Sequence, residues 1–481
     1  MNVPSGEFLV FCAIAALLVN ASAAKPWRDA VMLVANLAFL ASFSRNIHEW
    51  LPYVGFMALG YAGVRAMQGG SRAARRMLFP VLCVVMVTAF IWLKRYTILP
   101  EQTFLQFVYV QIGLSYVFFR VLHMIIDAKD DLLPGPVGVV DYLNFSLNFT
   151  SLVSGPIQRY QDYHRMTAVE QPALHAADVG VAVERIVIGF FKVEVLSVLL
   201  LAVQTDALHA LQPGEPLLDR ASNAILGAAV YPVYLYFNFS GYMDVVIGAA
   251  RFLRLVLPEN FDHPFSSENF IVFWSRWHIT LSMWLKTYVF APLQIALVRR
   301  FPSRSAEPWL GVIAFFVTFF LVGVWHGRTS EFIVFGVLQG GGVAGNKLYQ
   351  ITMARRLGRA GYRALCANPV YRAFARGLTF TWFTFTLFWF WSNWGQMGEY
   401  VHAAGATGLI VTVAAVLLGA TAVLACLEPV RRASLAWRWT DRPVLLSRYT
   451  RTVWCTALVL VTASATFILN LPAPHIVYRA F

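Results

Sequence analysis

The stretch Leu310-Gly-Val-Ile-Ala-Phe-Phe-Val-Thr-Phe-Phe-Leu-Val-Gly-Val-Trp-His-Gly327 indicates the fold class of this chain. It is apolar along nearly its whole length and ends beside a histidine, His326. An ionisable side chain at membrane depth is costly to bury, so one found there is by default a candidate for function. His326 is therefore the first candidate site residue. A second histidine, His278, follows Trp277 in another strongly apolar neighbourhood.

The composition excludes a soluble globular protein. Of the 481 residues 58% are hydrophobic and only 13% are charged, and the mean hydropathy is +0.60, which leaves too little polar surface to cover a globule of that size. The formal net charge of +13 comes from basic residues that gather in short connectors between apolar spans. That distribution is typical of the positive-inside rule, so it points to a lipid bilayer and not to nucleic acid as the partner.

Apolar spans and basic connectors together predict an all-α, polytopic membrane protein with about twelve crossings and both termini outside the cytoplasm. The predicted spans lie near residues 7–24, 30–44, 51–67, 77–93, 104–126, 181–203, 222–249, 309–325, 331–350, 378–392, 405–427 and 452–470. Residues 137–153 and 255–298 are expected to be re-entrant. The first span is interpreted as retained, with a removed signal peptide as the alternative. The whole chain, 1–481, is predicted to be one integral membrane domain.

Each candidate side chain has a structural and a functional interpretation. His326 is either packing between helices through a hydrogen bond or a neutral imidazole that acts as a general base for a hydroxyl. Asp244 is either bonded to backbone or to an arginine within a close helix contact, or it lines a cavity and orients an imidazole. Arg276 is either an interfacial arginine or part of a cationic site for a phosphate-bearing donor. No Cys, Asp or Glu sits at ligand spacing beside either histidine, so no metal is expected.

Two further patterns are interpreted as structural. The glycines in Gly336-x3-Gly340 and Gly341-x3-Gly345 are predicted to form close helix contacts, because the segment is only a near miss for a phosphate-binding loop. The five cysteines lie far apart and predict neither a disulfide framework nor a redox motif.

Several motifs, taken in order, resemble the membrane-bound O-acyltransferase superfamily, in the bacterial branch that includes alginate O-acetylation proteins and D-alanyl transfer proteins. The resemblance covers a core at residues 115–345. The motifs are Phe119-Arg-Val-Leu-His-Met-Ile-Ile-Asp127, Ser154-Gly-Pro-Ile-Gln-Arg-Tyr160, Phe239-Ser-Gly-Tyr-Met-Asp-Val-Val-Ile-Gly248, Pro258-Glu-Asn-Phe261, Phe273-Trp-Ser-Arg-Trp-His-Ile-Thr-Leu-Ser282, Trp284-Leu-Lys286 and Gly323-Val-Trp-His-Gly327. The closing Ile476-Val-Tyr-Arg-Ala-Phe481 also resembles that branch.

The resemblance implies a ring of tilted helices around a central tunnel. It implies that His326 is the active histidine and that His278 helps to position or polarise the donor. The side chains expected to bind the donor or line the cavity are Arg276, Lys286, Asp244, Trp325 and Trp277. The chain departs from the branch at four positions, which are Ser275, Lys286, Thr287 and Gln339. These departures concern the identity of the donor more than the role of His326.

The expected function is transfer of a short acyl group, acetyl, in the inner membrane of a bacterium. The donor is expected to be a cytoplasmic thioester, acetyl-CoA or an acyl carrier protein, with no tightly bound cofactor. The acceptor is a hydroxyl of an extracytoplasmic polysaccharide, reached directly or through a periplasmic esterase-like partner. Two alternatives are D-alanyl transfer from a small carrier protein to a polymer like teichoic acid, and a non-enzymatic carrier of a lipid or glycan.

Overall fold

The computed structural model describes residues 1, 3–168, 174–436, 438–439, 442–443 and 447–469. Within that part nearly all regular structure is helical, which confirms the all-α prediction. The strands are two residues long, β1 (Arg438–Trp439) and β2 (Arg442–Pro443), and pair antiparallel. The C-terminal motif Ile476–Phe481 lies outside the described residues.

The helices in chain order are α1 (Gly6–Asn20), α2 (Lys25–Ala41), α3 (Leu51–Gly69), α4 (Arg72–Leu93), α5 (Leu114–Lys129), α6 (Val139–Ser146), α7 (Tyr160–Ala168), α8 (Ala176–Phe190), α9 (Val198–Ala210), α10 (Leu217–Phe252), α11 (Phe270–Trp274), α12 (Ile279–Leu285), α13 (Ala291–Arg300), α14 (Glu307–His326), α15 (Ser330–Ala367), α16 (Pro369–Thr386), α17 (Phe388–Trp391), α18 (Trp394–Ala436) and α19 (Arg448–Leu469).

The protein is a multi-pass membrane protein. Six segments of the described chain are helices long and apolar enough to cross a bilayer: Arg72–Leu93, Ala176–Ala210, Ile279–Arg300, Glu307–His326, Trp394–Leu427 and Arg448–Leu469. The apolar helix α1 is shorter. The figure of about twelve crossings, the ring and the tunnel stay predictions.

Contacts divide the chain into two compact units. The first consists of Met1–Phe190 and Tyr242–Glu259, and the second of Phe191–Gly241 together with the described residues from Asn260 to 469. Helix α10 runs through both. The prediction of one integral membrane domain is not tested by this division and stays a prediction.

In the first unit, the helix observed at the predicted span near 104–126 starts later than expected. Helix α5 begins only at Leu114, after Gly113, which has a left-handed backbone with φ +67°. Residues 104–113 lie outside any helix. Glycine adopts this conformation readily because it has no Cβ, so the chain turns there and the helix starts after it.

The apolar run at 137–153 does not form a crossing helix, because α6 has only eight residues. The chain after it is buried and irregular, and Arg120 satisfies part of its backbone. Its guanidinium donates to the carbonyls of Phe145 at 3.2 Å, Ser146 at 3.1 Å and Ser151 at 2.6 Å. Irregular backbone is tolerated at membrane depth only when protein supplies such partners.

His123 provides a hydrogen-bond partner for the backbone at the end of that irregular segment. Its Nδ1 lies 3.1 Å from the carbonyl of Phe119, and its Nε2 accepts from the backbone N–H of Tyr160 at 3.1 Å. Arg120 and His123 are 1% and 0% exposed. Arg120 and His123, two of the three ionisable residues of the Phe119–Asp127 motif, therefore have a structural role, which is to hold the loop between α6 and α7.

In the second unit, α12 continues through a π-helical turn, Lys286–Phe290, into α13. The resulting helix, Ile279–Arg300, is long enough to cross a bilayer. The sequence had predicted that the whole of 255–298 enters and returns. Residues 255–278 contain only a 3-10 turn and the five-residue α11 as helices. Re-entry into the membrane therefore stays a prediction for residues 255–278, and the helix that follows them is long enough to cross.

Helices α14 and α15 form the hairpin predicted around His326. The helices touch at glycines: a Cβ on Gly323 would overlap the backbone of Gly336, and a Cβ on Gly340 would lie 2.6 Å from the carbonyl oxygen of Phe316. The first pair of glycines, Gly336 and Gly340, is thus confirmed as a close helix contact. For the second pair, Gly341 and Gly345, the prediction of a close helix contact is wrong, because a Cβ on either residue would meet nothing within 4 Å.

Those two glycines instead line a cavity of about 520 Å³. Hydropathy along the chain does not distinguish the two pairs of glycines, because they differ only in the side of α15 that they face.

Candidate active site

His326 is the last residue of α14 and is 2% exposed. Its imidazole lies among three aromatic rings of the second unit, with centroid distances of 4.8 Å to Trp325, 5.3 Å to Phe390 and 6.0 Å to Phe335. These rings come from α14, α15 and α17, so three helices fix the position of the imidazole. The His326 ring is therefore enclosed by protein.

Close packing favours glycine as the residue after His326. A Cβ on Gly327 would overlap the phenyl ring of Phe332 in the first turn of α15. Gly327 therefore lets α15 return close against the end of α14, which brings Phe335 to the imidazole. The sequence Trp-His-Gly thus encodes both the candidate base and the tight turn that encloses it.

His278 is fully buried and immediately precedes α12. Its backbone is left-handed, with φ +46° and ψ +53°, which is uncommon for a residue with a side chain and costs about 1–3 kcal/mol. Pairing with the segment around Asn260 holds it there. The N–H of Asp262 donates to the carbonyl of Arg276, and the N–H of Ile279 donates to the carbonyl of Asn260, each at 3.0 Å.

The side chain of Asn260 also fixes the tautomer of His278. Its Oδ1 accepts from the backbone N–H of Thr280 at 3.0 Å and from the Thr280 hydroxyl at 2.9 Å. An atom that accepts from a backbone N–H is the amide oxygen and not the nitrogen. The same oxygen lies 3.2 Å from Nδ1 of His278, so Nδ1 is the protonated nitrogen of the neutral ring and Nε2 carries the lone pair.

The tertiary structure brings the two histidines together, although 48 positions separate them in the sequence. The His278 ring has a centroid distance of 6.3 Å from Trp325, and the His326 ring lies 4.8 Å from the same indole. The His278 ring also packs against the ring of Phe239 in α10, with a centroid distance of 5.1 Å. A single cluster of aromatic rings in the second unit therefore contains both imidazoles.

The other predicted site residues are placed as follows. Nη1 of Arg276 donates to the hydroxyl of Ser266 at 2.7 Å. The exposed Lys286 lines a cavity of about 190 Å³ together with Ser275. Trp277 is 2% exposed, and its ring packs on Phe273 and Phe383 at 5.6 and 5.0 Å. Their proposed contact with a donor stays a prediction.

Asp244 belongs to the first unit, where its carboxylate forms an ion pair with Nε of Arg185 at 3.0 Å. Arg185 also binds the carboxylate of Glu259 through both terminal nitrogens. This is the structural alternative that the sequence had left open for Asp244. Among the described residues, no group of three His, Cys, Asp or Glu side chains is arranged to hold a metal ion.

Sequence reasoning missed one residue of the site, Asn260, and left a second residue, Gln339, without a structural role. Asn260 was visible only as part of Pro258-Glu-Asn-Phe261, and nothing in that motif shows that it meets a histidine 18 positions later. Gln339 is fully buried one turn beyond Phe335 on α15, and its Nε2 donates to Thr386 at 2.8 Å. It stood out in the sequence only as a departure from the resembled branch.

Comparison with known proteins places these residues in a family. The model described as "MBOAT, membrane-bound O-acyltransferase family" matches residues 76–390, a wider region than the predicted core at 115–345. The match includes both histidines, Asn260 and Trp325.

Three curated relatives illustrate the similarity. The chain is 32% identical over 236 residues to a teichoic acid D-alanyltransferase of Bacillus subtilis (strain 168), covering 47% of this chain and 56% of the relative. It is 30% identical over 322 residues to the probable alginate O-acetylase AlgI of Pseudomonas fluorescens, covering 65% and 60%. It is 30% identical over 298 residues to a teichoic acid D-alanyltransferase of Streptococcus thermophilus, covering 59% and 68%. The alignments thus span somewhat more than half the length of the first two relatives.

Proposed function

We infer the reaction from one premise: this chain belongs to the membrane-bound O-acyltransferase family. On that premise we propose that it is an O-acyltransferase that moves a short acyl group, acetyl, from a thioester to a hydroxyl of an extracytoplasmic polysaccharide. The observation that supports the proposal is the pair of buried imidazoles, His278 and His326, on the indole of Trp325.

In the proposed mechanism, His326 is the general base. A ring nitrogen takes the proton of the acceptor hydroxyl while the hydroxyl oxygen attacks the carbonyl carbon of the thioester. A C–O bond forms, the C–S bond breaks, and the departing thiol receives the proton that His326 had taken. The aromatic rings around His326 exclude water, which favours transfer to the acceptor over hydrolysis.

The proposed role of His278 follows from its tautomer. Because Asn260 holds the proton on Nδ1, Nε2 of the neutral ring can accept a hydrogen bond but cannot donate one. The neutral ring is therefore suited to hold an N–H of the donor, such as an amide of a pantetheine arm, and unsuited to polarise the thioester carbonyl. Of the two roles that the sequence suggested, this geometry favours positioning.

The proposed orientation places the donor inside and the acceptor outside. The arginine-rich connectors at 65–76 and 355–376 are assigned to the cytoplasm of a bacterial inner membrane, with both termini outside. Helix α14 then runs outward, so His326 lies toward the extracytoplasmic face. The donor is proposed to be acetyl-CoA or an acyl carrier protein thioester, and the acyl group is proposed to reach the polysaccharide directly or through an esterase-like periplasmic protein.

D-alanyl transfer is the second candidate, and the similarity to the teichoic acid D-alanyltransferase of Bacillus subtilis favours it. It uses the same two histidines and the same chemical step, with a D-alanyl-charged carrier protein as donor. The alternatives therefore differ in donor and acceptor and not in catalysis.

The test uses the purified full chain in lipid nanodiscs, with envelope polysaccharide of the producing bacterium as acceptor. Radiolabelled acetyl-CoA, acetyl-charged carrier protein and D-alanyl-charged carrier protein are supplied in separate reactions. We expect label to enter the polysaccharide from an acetyl donor, to be lost in His326→Ala, and to be retained in the matched control His48→Ala, whose histidine is exposed.

Transfer only from the D-alanyl donor would select the second candidate. Unchanged acetyl transfer by folded His326→Ala would remove His326 from the mechanism. In sealed proteoliposomes, movement of a lipid or glycan across the membrane without any thioester, and no acylated product, would support a non-enzymatic carrier.

A further inference from the structure

The second unit contains a cavity of about 530 Å³ that the mechanism above does not use. It lies between the end of α9 with its following loop and the segment from α17 into α18. Its polar lining includes His209, Gln212, Gln396, Glu399 and His402, and Trp391 forms an aromatic wall. Its volume is within the range of about 300–1,000 Å³ that is usual for small-molecule sites.

This cavity is connected to the candidate base through a single turn of helix. Phe390 of α17 packs on His326 with a centroid distance of 5.3 Å, and the next residue, Trp391, lines the cavity. The loop after α17 is also tied to the start of α15, because the backbone N–H of Trp394 donates to Glu331 at 3.2 Å. By the proposed orientation, both walls of the cavity lie on the extracytoplasmic side, where the acceptor arrives.

The lining chemistry fits a hydroxyl-rich ligand. The amides of Gln212 and Gln396 each offer a donor and an acceptor, and the Glu399 carboxylate accepts from hydroxyl groups. An indole such as that of Trp391 offers a flat apolar surface on which the C–H face of a sugar ring can stack. An apolar wall with several polar groups that can define an orientation is typical of a specific binding site.

The charge of the region indicates which sugars are accepted. Among the described residues that line the cavity, none is lysine or arginine, and Glu399 is acidic. Three more exposed acids lie in the same stretch of the chain: Asp206 near the end of α9, Glu215 in the loop after it and Asp219 in the first turn of α10. One cation of the described chain borders the cavity: Nη1 of Arg220 lies 3.4 Å from the carbonyl of Ala403, a lining residue, so the acids outnumber the arginine. A polyanion placed here would meet a net negative surface.

We propose that this cavity binds sugar units of an uncharged glycan, which is the acceptor whose hydroxyl reaches His326. The assignment rests on the proposed function and adds the class of its acceptor: a neutral polysaccharide, in preference to a uronate polymer or a polymer of glycerol phosphate. Trp391 is the stacking platform, and Glu399 selects against anionic chains.

The test measures binding separately from acyl transfer. The purified full chain in detergent is titrated with neutral oligosaccharides of glucose, mannose, galactose and N-acetylglucosamine, and with oligomannuronate and a glycerol phosphate oligomer. We expect at least one neutral oligosaccharide to bind more tightly than both anionic oligomers. Trp391→Ala should weaken that binding at least about tenfold, and Trp391→Phe should weaken it less.

Two variants control for misfolding. Trp454→Ala removes an exposed tryptophan of α19 and should leave binding unchanged. Glu399→Lys reverses the charge without removing an apolar contact, and it should raise the affinity for oligomannuronate. Tighter binding of an anionic oligomer by the unaltered chain, or neutral binding that Trp391→Ala and Glu399→Lys both leave unchanged, would overturn the assignment.

His326→Ala distinguishes this proposal from the proposed function. The variant should bind the neutral oligosaccharide as well as the unaltered chain does, because His326 does not line the cavity. If neutral binding is present but the unaltered chain acylates no polysaccharide from any thioester, the binding site stands and the proposed reaction fails.

Discussion

His278 and His326 contact the same indole ring, that of Trp325, with centroid distances of 6.3 and 4.8 Å. His278 has a left-handed backbone and immediately precedes α12, and His326 is the last residue of α14 and is followed by Gly327. Neither histidine is near the other in the sequence. Their shared contact suggests that they serve one chemical step, and this has a measurable consequence.

The first prediction concerns additivity. His326→Ala should lower the rate of acyl transfer by roughly 10²–10⁴-fold, the usual contribution of a general base. His278→Ala should also lower it, and the double variant should be little slower than His326→Ala alone, because residues that act as a unit have non-additive effects. Initial rates measured per folded molecule check this. Two effects that multiply in full would show that the histidines act in separate steps.

The second prediction concerns Asn260 as a positioning residue. Asn260→Ala removes the acceptor shared by His278 and both donors of Thr280, so transfer should fall about tenfold or more, with a rise in KM for the donor. Asn260→Asp keeps an acceptor at the same place and should retain more activity than Asn260→Ala.

The ¹⁵N chemical shifts of labelled histidine supply a readout that a merely structural role would not change. In the unaltered chain the His278 signal should show a proton on Nδ1, and in Asn260→Ala that preference should be lost. Equal activity of the alanine and aspartate variants, with unchanged shifts, would contradict the assignment.

The third prediction concerns the α14–α15 contact. Gly323→Ala introduces a methyl group that overlaps the backbone of Gly336, and overpacking of this kind costs about 1–3 kcal/mol. The melting temperature and the yield in detergent should both fall. Gly341→Ala is the matched control, since its methyl group would meet nothing within 4 Å and alanine favours the helix by about 1 kcal/mol. Equal melting temperatures of the two variants would refute the close contact.

The fourth prediction concerns Arg120. Arg120→Met removes the donors that satisfy the carbonyls of Phe145, Ser146 and Ser151, and each buried group left unpaired costs about 1–3 kcal/mol. We expect a sharp loss of folded protein, together with faster proteolysis between α6 and α7. Arg165→Met is the control, because that side chain is 75% exposed. Normal abundance of Arg120→Met would show that the loop is held by other contacts.

The glycines of α15 show where prediction from sequence succeeded and where it failed. Gly336 and Gly340 were expected to touch another helix and do, whereas Gly341 and Gly345 were expected to do the same and line a cavity instead. The spacing of small residues shows that a helix has a smooth face. It does not show which of two neighbouring faces meets another helix, because that depends on how the rest of the chain packs.

Asn260 shows a second kind of limit. Its neighbours in the sequence mark a short polar break between apolar segments, and that is all that a local pattern contains. Its function in the site comes from three hydrogen bonds to residues 18 and 20 positions away, formed because the chain around it pairs with residues 276–279. Contacts of that length leave no periodic signal.

The sequence by itself determined that this protein is an all-helical, multi-pass membrane protein, and it singled out His278 and His326. Hydropathy, the position of charges and the cost of burying an imidazole are properties of residues and their near neighbours, so they can be read along the chain. Only the tertiary structure placed both histidines on Trp325, gave His278 its tautomer and formed the cavity lined by Trp391 and Glu399. Those features arise where segments distant in the sequence pack together, and the packing of many side chains at once decides them.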